Sequence, residues 1–138
     1  MSYSSAIPVS PKYPKQIITI ADHLRKCRID LKLSQAVVAR IIKVSEDTIT
    51  YWENSRAEPR ISLIPRVIAF LGYNPYEIDA STLGGKIKQF RYTKGLSIKN
   101  FSKLVSVDPL IVKACENDEL TPTSVSYQKL IDYLNEFK

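Results

Sequence analysis

Apolar residues recur every three or four positions along most of this chain, which is the spacing of one face of an α-helix. Leu24 and Leu31 belong to this pattern, and Thr19 followed three residues later by Asp22 is typical of a helix start. The pattern predicts a first helix over about residues 20–31. No segment alternates apolar and polar residues over a useful length, so the sequence predicts an all-α fold.

Three more helices are predicted before residue 72. Ser34 and Ser45 are good N-caps for a second and a third helix, and the third helix must end before Pro59. A fourth helix is predicted over residues 61–71. The apolar positions predicted to face inward are Val38, Ala39 and Ile42 in the second helix, Ile49 and Trp52 in the third, and Ile64, Val67, Ile68 and Leu71 in the fourth.

The same plan returns 63 positions later. Arg28 corresponds to Arg91 and Glu53 to Glu116, so each copy holds an arginine and a glutamate at the same separation. The chain is therefore predicted to be a tandem of one small helical module. Further matches are Leu33-Ser34 with Leu96-Ser97, Val44 with Val107, Asn54 with Asn117, and Pro59 with Pro122. The helices predicted for the second copy span about 83–93, 97–105, 108–117 and 123–137.

The predicted domains are a leader over 1–18, a first module over 19–72, a linker over 73–82 and a second module over 83–138. The leader holds prolines at positions 8, 11 and 14, a composition that resists regular structure. Two lysines accompany these prolines. The leader is therefore expected to be either a flexible or docked segment or a basic arm that reaches nucleic acid.

Composition narrows the classes of function. The net charge of +6 and the isoelectric point near 9.3 suit a polyanionic partner. Cys27 and Cys115 lack the spacing of a metal site and favour a reducing intracellular compartment. His23 is the one histidine, and no triad, phosphate loop or carboxylate pair stands out, so we expect no enzyme activity, metal or cofactor. No apolar run approaches the roughly 18 residues of a membrane span, and we expect a cytoplasmic protein with no membrane partner.

A set of spaced residues in the first module carries a resemblance to a known family. The set comprises Leu33-Ser34-Gln35, Val38-Ala39, Val44-Ser45, Ile49, Trp52-Glu53-Asn54 and Pro59. It resembles the helix-turn-helix of the Cro and phage-repressor type, the Xre family, from about Ile20 to Leu71, and the resemblance continues over 83–134. It implies two tandem lambda-repressor-like helix-turn-helix bundles of four to five helices, an arrangement seen among bacterial regulators. The implied function is sequence-specific binding of double-stranded DNA in transcription regulation.

The resemblance also implies roles for single residues. Outward residues of the third helix read base edges in the major groove, and residues at the start of the second helix and after the third contact the phosphate backbone. Arg28 with Glu53, and Arg91 with Glu116, would form partly buried ion pairs that tie the first helix of each copy to the third. The predicted DNA-binding residues are Gln35, Ser45, Glu46, Asp47, Thr50, Tyr51, Asn54 and Arg56.

Several positions depart from the family pattern. Lys43 and Ser106 stand where glycine is common in the turn, so they must tolerate the turn geometry or the turn must differ. Glu46 and Asp47 are acidic; they either accept a hydrogen bond from a cytosine amino group or only favour the helix dipole.

The second copy departs further, because its outward positions include Ile98, Leu110 and Ala114. This favours a role in dimerisation or auxiliary DNA contact. The two copies could also act as a pseudo-dimer on half-sites about 34 Å apart. A rival hypothesis is a protein-interaction module, such as an antitoxin-like adaptor, that keeps the fold without binding DNA. The sequence leaves a homodimer and any small-molecule effector open.

Overall fold

The computed structural model describes residues 13–121 and 123–136, and every regular element in these ranges is helical, as predicted. Most of the leader lies outside the described residues, as do Pro122 and Phe137. No helix in the described ranges has the length and apolarity needed to cross a membrane. The helices are α1 (Ile20–Asp30), α2 (Gln35–Ile42), α3 (Glu46–Glu53), α4 (Ile64–Leu71), α5 (Leu83–Lys94), α6 (Ile98–Val105), α7 (Pro109–Glu116) and α8 (Ser124–Glu136), with a 3-10 turn at Ile61–Leu63 before α4.

Internal contacts divide the chain into two compact units between Glu58 and Pro59. The first unit holds α1 to α3, and the second holds α4 to α8. In the second unit α4 packs against α5, and the Pro65 ring lies 3.0 Å from where a Cβ atom on Gly95 would be. This division differs from the predicted modules, which assign the fourth helix to the first module; those modules remain a division based on sequence.

The first unit is held together by the apolar faces that the sequence pattern predicts. In α1, Thr19 and Asp22 form the predicted capping box: the Asp22 N–H donates to Thr19 Oγ1 at 3.2 Å, and the Thr19 N–H donates to Asp22 Oδ2 at 3.0 Å. Both α1 and α2 contact α3. The buried apolar residues of these three helices are Ile20, Ala21, Leu24, Val38, Ala39, Ile42, Ile49 and Trp52.

All three helices of the first unit are followed by a residue in the left-handed conformation, and none of these residues is glycine. Lys32, Lys43 and Ser55 have φ values of 58°, 67° and 58°. After α3, the Arg56 N–H donates to the Tyr51 carbonyl at 2.9 Å, which closes the helix end and turns the chain away from it. A left-handed residue with a side chain costs about 1–2 kcal/mol, so these turns are formed at the expense of stability.

The second unit repeats much of this local geometry. Helices α6 and α7 begin and end 63 positions after α2 and α3, and Ser97 and Asp108 cap them as Ser34 and Ser45 cap the earlier pair. Ser106 takes the left-handed conformation at the position that corresponds to Lys43. One buried apolar cluster of the second unit comprises Ile87, Phe101, Val105, Val107, Val112, Cys115, Leu130 and Leu134. In α4 the predicted inward residues Ile64, Val67 and Leu71 are also buried.

Candidate nucleic-acid interface

A tight turn joins α2 to α3. Lys43 ends α2 with φ 67° and ψ 51°, which is the left-handed conformation. The turn therefore keeps the geometry for which glycine is common, with a lysine in its place. Ser45 then caps α3, because its Oγ atom accepts a hydrogen bond from the Thr48 N–H at 3.1 Å. Ile49 and Trp52, 0% and 3% exposed, anchor one side of α3 in the core as predicted. The opposite side of α3 is therefore the side available to a partner.

The accessible side of α3 carries four of the predicted interface residues. Glu46 and Asp47 are exposed in its first turn, and Tyr51 lies one turn after Asp47 with 46% of its surface exposed. Thr50, one turn after Glu46, is half-buried. This surface offers carboxylate acceptors and a phenol, groups that hydrogen-bond base edges, and the carboxylates also lie at the favourable end of the helix dipole.

Gln35, the first residue of α2, is bonded to α3. Its Nε2 atom donates to Glu53 Oε1 at 3.2 Å, and its Oε1 atom accepts from Thr50 Oγ1 at 2.8 Å. A primary amide has two N–H donors, so one remains for a partner such as a phosphate oxygen. The structure thus brings Gln35 and Thr50 together and fixes the start of α2 to the middle of α3.

The predicted ion pair between α1 and α3 is present. Arg28 Nε and Nη2 donate to the two carboxylate oxygens of Glu53 at 2.7 and 2.8 Å, and Arg28 Nη1 donates to the Leu33 carbonyl at 3.1 Å. The Glu53 side chain is 1% exposed and that of Arg28 is 13% exposed. Arg91 and Glu116 form the equivalent pair in the second unit. These bidentate contacts fix the orientation of α3 and α7 within their units.

Arg25 belongs to the same hydrogen-bond network, although the sequence pattern did not predict a role for it. Its Nη2 atom donates to the Glu53 carbonyl at 2.7 Å and to Asn54 Oδ1 at 3.2 Å. The second contact orients Asn54, the residue that caps the end of α3, and leaves the amide hydrogens of Asn54 as its donors. The sequence held one indication of this role: Arg25 lies three residues before Arg28 and so shares its face of α1.

The remaining predicted residues have different surroundings. The Ser45 hydroxyl is engaged by the cap and by Thr48 Oγ1 at 2.7 Å. Arg56 is exposed in the segment that follows α3, whereas Glu46 and Asp47 lie in its first turn. Basic and acidic residues of the predicted interface therefore lie at opposite ends of α3.

Comparison with known families gives one match. Residues 24–78 match the helix-turn-helix family model. The matched segment is about two-fifths of the chain. It contains the α2–turn–α3 geometry and six of the eight buried apolar residues of α1 to α3; the other two, Ile20 and Ala21, precede it. The match indicates a DNA-binding helix-turn-helix of the kind found in transcription regulators. No curated protein and no solved structure matches the chain.

The second unit lies mostly beyond this helix-turn-helix match, and its corresponding surface has different chemistry. Ile98 stands at the position of Gln35, so Glu116 receives no bond from an amide side chain there. Leu104 and Leu110 are 50% and 77% exposed on α6 and α7; Leu104 has an apolar counterpart in Ile41, which is 51% exposed, so the difference between the units lies in Leu110. Exposed lysines accompany them, including Lys113. This surface combines positive charge with apolar area, unlike the polar face of α3.

Proposed function

We propose that this protein is a sequence-specific regulator that binds double-stranded DNA, with α3 in the major groove. One observation carries the proposal: within the segment that matches the helix-turn-helix family, α3 is anchored by buried Ile49, Trp52 and Glu53 and leaves a polar face exposed. A helix held rigidly on one side and polar on the other suits insertion into a groove, because the contacts are fixed before binding.

Each predicted residue has a role in this proposal. Gln35 contacts a phosphate through its remaining amide hydrogen, and Asn54 and Arg56 contact the backbone at the other end of α3. Ser45 keeps the first turn of α3 in place. Glu46, Asp47, Thr50 and Tyr51 contact base edges, and the two carboxylates select cytosine amino groups. The operator should therefore contain cytosines where the start of α3 meets the groove.

Residues 83–138 are proposed to be a divergent helix-turn-helix module that makes the protein a tandem of two bundles. The repeated bounds of α6 and α7, their caps and the Arg91–Glu116 pair support this view. Its exposed Leu110 favours dimerisation, and two chains would then present two first modules to a palindromic site.

The DNA proposal is tested by titrating salt during binding to random duplex DNA and then selecting bound sequences from a random pool. The affinity should fall steeply with salt, with a log–log slope of several units. Arg56→Ala should weaken binding to all sequences and reduce that slope by about one. Lys94→Ala is the control, because it removes the same charge from an exposed position of α5. A weak affinity that does not respond to salt would contradict DNA binding.

A second candidate function is that of a protein-interaction adaptor without DNA activity. The observation that favours it is the 77% exposure of Leu110 at the position where α3 carries Asp47. Sedimentation of the wild type and of Leu110→Glu separates the roles of this surface. A wild-type dimer that the substitution converts to monomer supports dimerisation. A wild-type monomer that fails to bind DNA supports the adaptor.

A further inference from the structure

A groove of about 490 Å³ lies between α5 and α8 in the second unit. Its floor is apolar and consists of Phe90 from α5 with Ile131 and Leu134 from α8. Phe90 is held in place by aromatic contacts, since its ring centroid lies 5.8 Å from that of Phe101 and 5.6 Å from that of Tyr133. The floor is therefore a fixed apolar surface in the size range of small-molecule sites.

The rim of this groove is polar and positively charged. Lys86, Gln89, Thr93 and Lys94 project from one face of α5, and Asn135 completes the rim from α8. All five residues are exposed, and no acidic residue is among the described residues that line the groove. The two lysines lie eight residues apart, so their backbone positions are separated by about 12 Å along α5.

The corresponding face of α1, 63 positions earlier, differs from this rim because its lysine is paired with an acid. Lys26 and Asp30, at the positions that correspond to Gln89 and Thr93, form an ion pair with Lys26 Nζ 2.8 Å from Asp30 Oδ2. In α5 the acid is replaced by Thr93, whose hydroxyl donates to the Gln89 carbonyl at 2.7 Å. Among the described residues, Lys86 and Lys94 have no ion-pair partner. Within the described ranges, the α5 rim thus offers positive charge that is not paired with a carboxylate.

We propose that this groove binds a small amphipathic carboxylate, with its apolar body on the floor and its carboxylate at Lys86 or Lys94. The complementarity is chemical: an apolar floor buries the body, and cationic and amide donors on the rim hold the anionic end. A small ligand fits the volume of the groove. The site lies wholly in the second unit and does not depend on the proposed DNA binding.

The test uses the full-length ¹⁵N-labelled protein and 4-phenylbutanoate as the probe. Backbone amide shifts of residues around the groove should change saturably, with a dissociation constant of about 1 mM for a ligand of this size in an open groove. The matched probes 4-phenylbutan-1-ol and 4-phenylbutylamine share the apolar body. The alcohol should bind at least about fivefold more weakly, and the amine should not bind detectably.

Variants locate the site. Lys86→Gln/Lys94→Gln should weaken binding of 4-phenylbutanoate about fivefold or more, and the same spectra report that the fold is kept. Lys99→Gln/Lys103→Gln removes the same charge from exposed positions of α6 and should bind like the wild type. Three results would overturn the proposal: no saturable change at the groove, equal binding of the alcohol, or equal loss in both double variants.

Discussion

Substituting Glu53 with glutamine tests how strongly the buried ion pair supports the first unit. The carboxylate accepts hydrogen bonds from Arg28 at 2.7 and 2.8 Å and from Gln35 at 3.2 Å, and it is 1% exposed. Glutamine keeps the volume but loses the charge, and its amide hydrogens would face the Arg28 guanidinium. Arg28 would then hold a largely buried positive charge without a carboxylate partner.

Breaking a buried pair by neutralising one partner costs about 3–5 kcal/mol. At about 0.05–0.15 kcal/mol per residue, a unit of this size has roughly 3–9 kcal/mol of stability in total. Glu53→Gln should therefore remove between about a third and all of the stability of the first unit and lower its midpoint of urea unfolding accordingly.

Trp52 provides the assay. It is the one tryptophan of the chain and is 3% exposed in the first unit. Its fluorescence during urea unfolding reports on this unit. Glu46→Gln is the control, because it makes the same change at an exposed position of the same helix and should cost less than about 1 kcal/mol.

Equal unfolding midpoints for Glu53→Gln and Glu46→Gln would refute the reasoning. Such a result would mean that the bidentate contact contributes no more than an exposed charge. An intermediate loss of about 1 kcal/mol would place the pair in the range of solvent-screened ion pairs instead.

Three further predictions concern stability. Lys43→Gly should raise the free energy of unfolding by about 1 kcal/mol in the Trp52 assay, because glycine adopts the left-handed turn without strain; a loss would contradict this. Gly84→Ala should lower the thermal midpoint measured by circular dichroism, at a cost of about 1–3 kcal/mol, because the added methyl would overlap the Cys115 carbonyl oxygen. Burial raises the pKa of Asp22, but the backbone N–H groups of Thr19 and Ile18 outweigh it, so the pKa lies below 3.8. The resulting stabilisation is present above that pH and is lost as pH falls through the lowered pKa. Asp22→Asn should reduce this loss when the free energy of unfolding is measured against pH, and a profile identical to that of the wild type would contradict the assignment.

The local structure was largely readable from the sequence. Ser34, Ser45 and Asp108 cap helices at the predicted positions, and the Arg28–Glu53 pair forms as predicted. These features depend on residues within one helix turn or on a spacing that occurs twice in the chain. The caps are visible without knowledge of how helices pack, whereas the pairing of Arg28 with Glu53 between α1 and α3 was implied by the resemblance to the helix-turn-helix family.

Tertiary contacts were less readable. The bond from Thr50 to Gln35, the orientation of Asn54 by Arg25 and the packing of α4 on α5 all join residues whose pairing depends on how helices meet. The groove between α5 and α8 was missed for the same reason. Its rim residues are ordinary polar positions until Phe90 and the α8 side chains place an apolar floor beneath them.

The hydrogen bond between Thr50 and Gln35 has a consequence for changing DNA preference. In the proposed function, Gln35 contacts the DNA phosphate backbone whatever the base sequence, whereas Thr50 discriminates between bases. A substitution of Thr50 would remove one of the two hydrogen bonds that hold the Gln35 amide and so alter overall DNA affinity together with selectivity. Asp47 and Tyr51 lie outside that bond. Retargeting this protein to a new operator should therefore proceed through Asp47 and Tyr51, with Thr50 and Gln35 exchanged only as a pair.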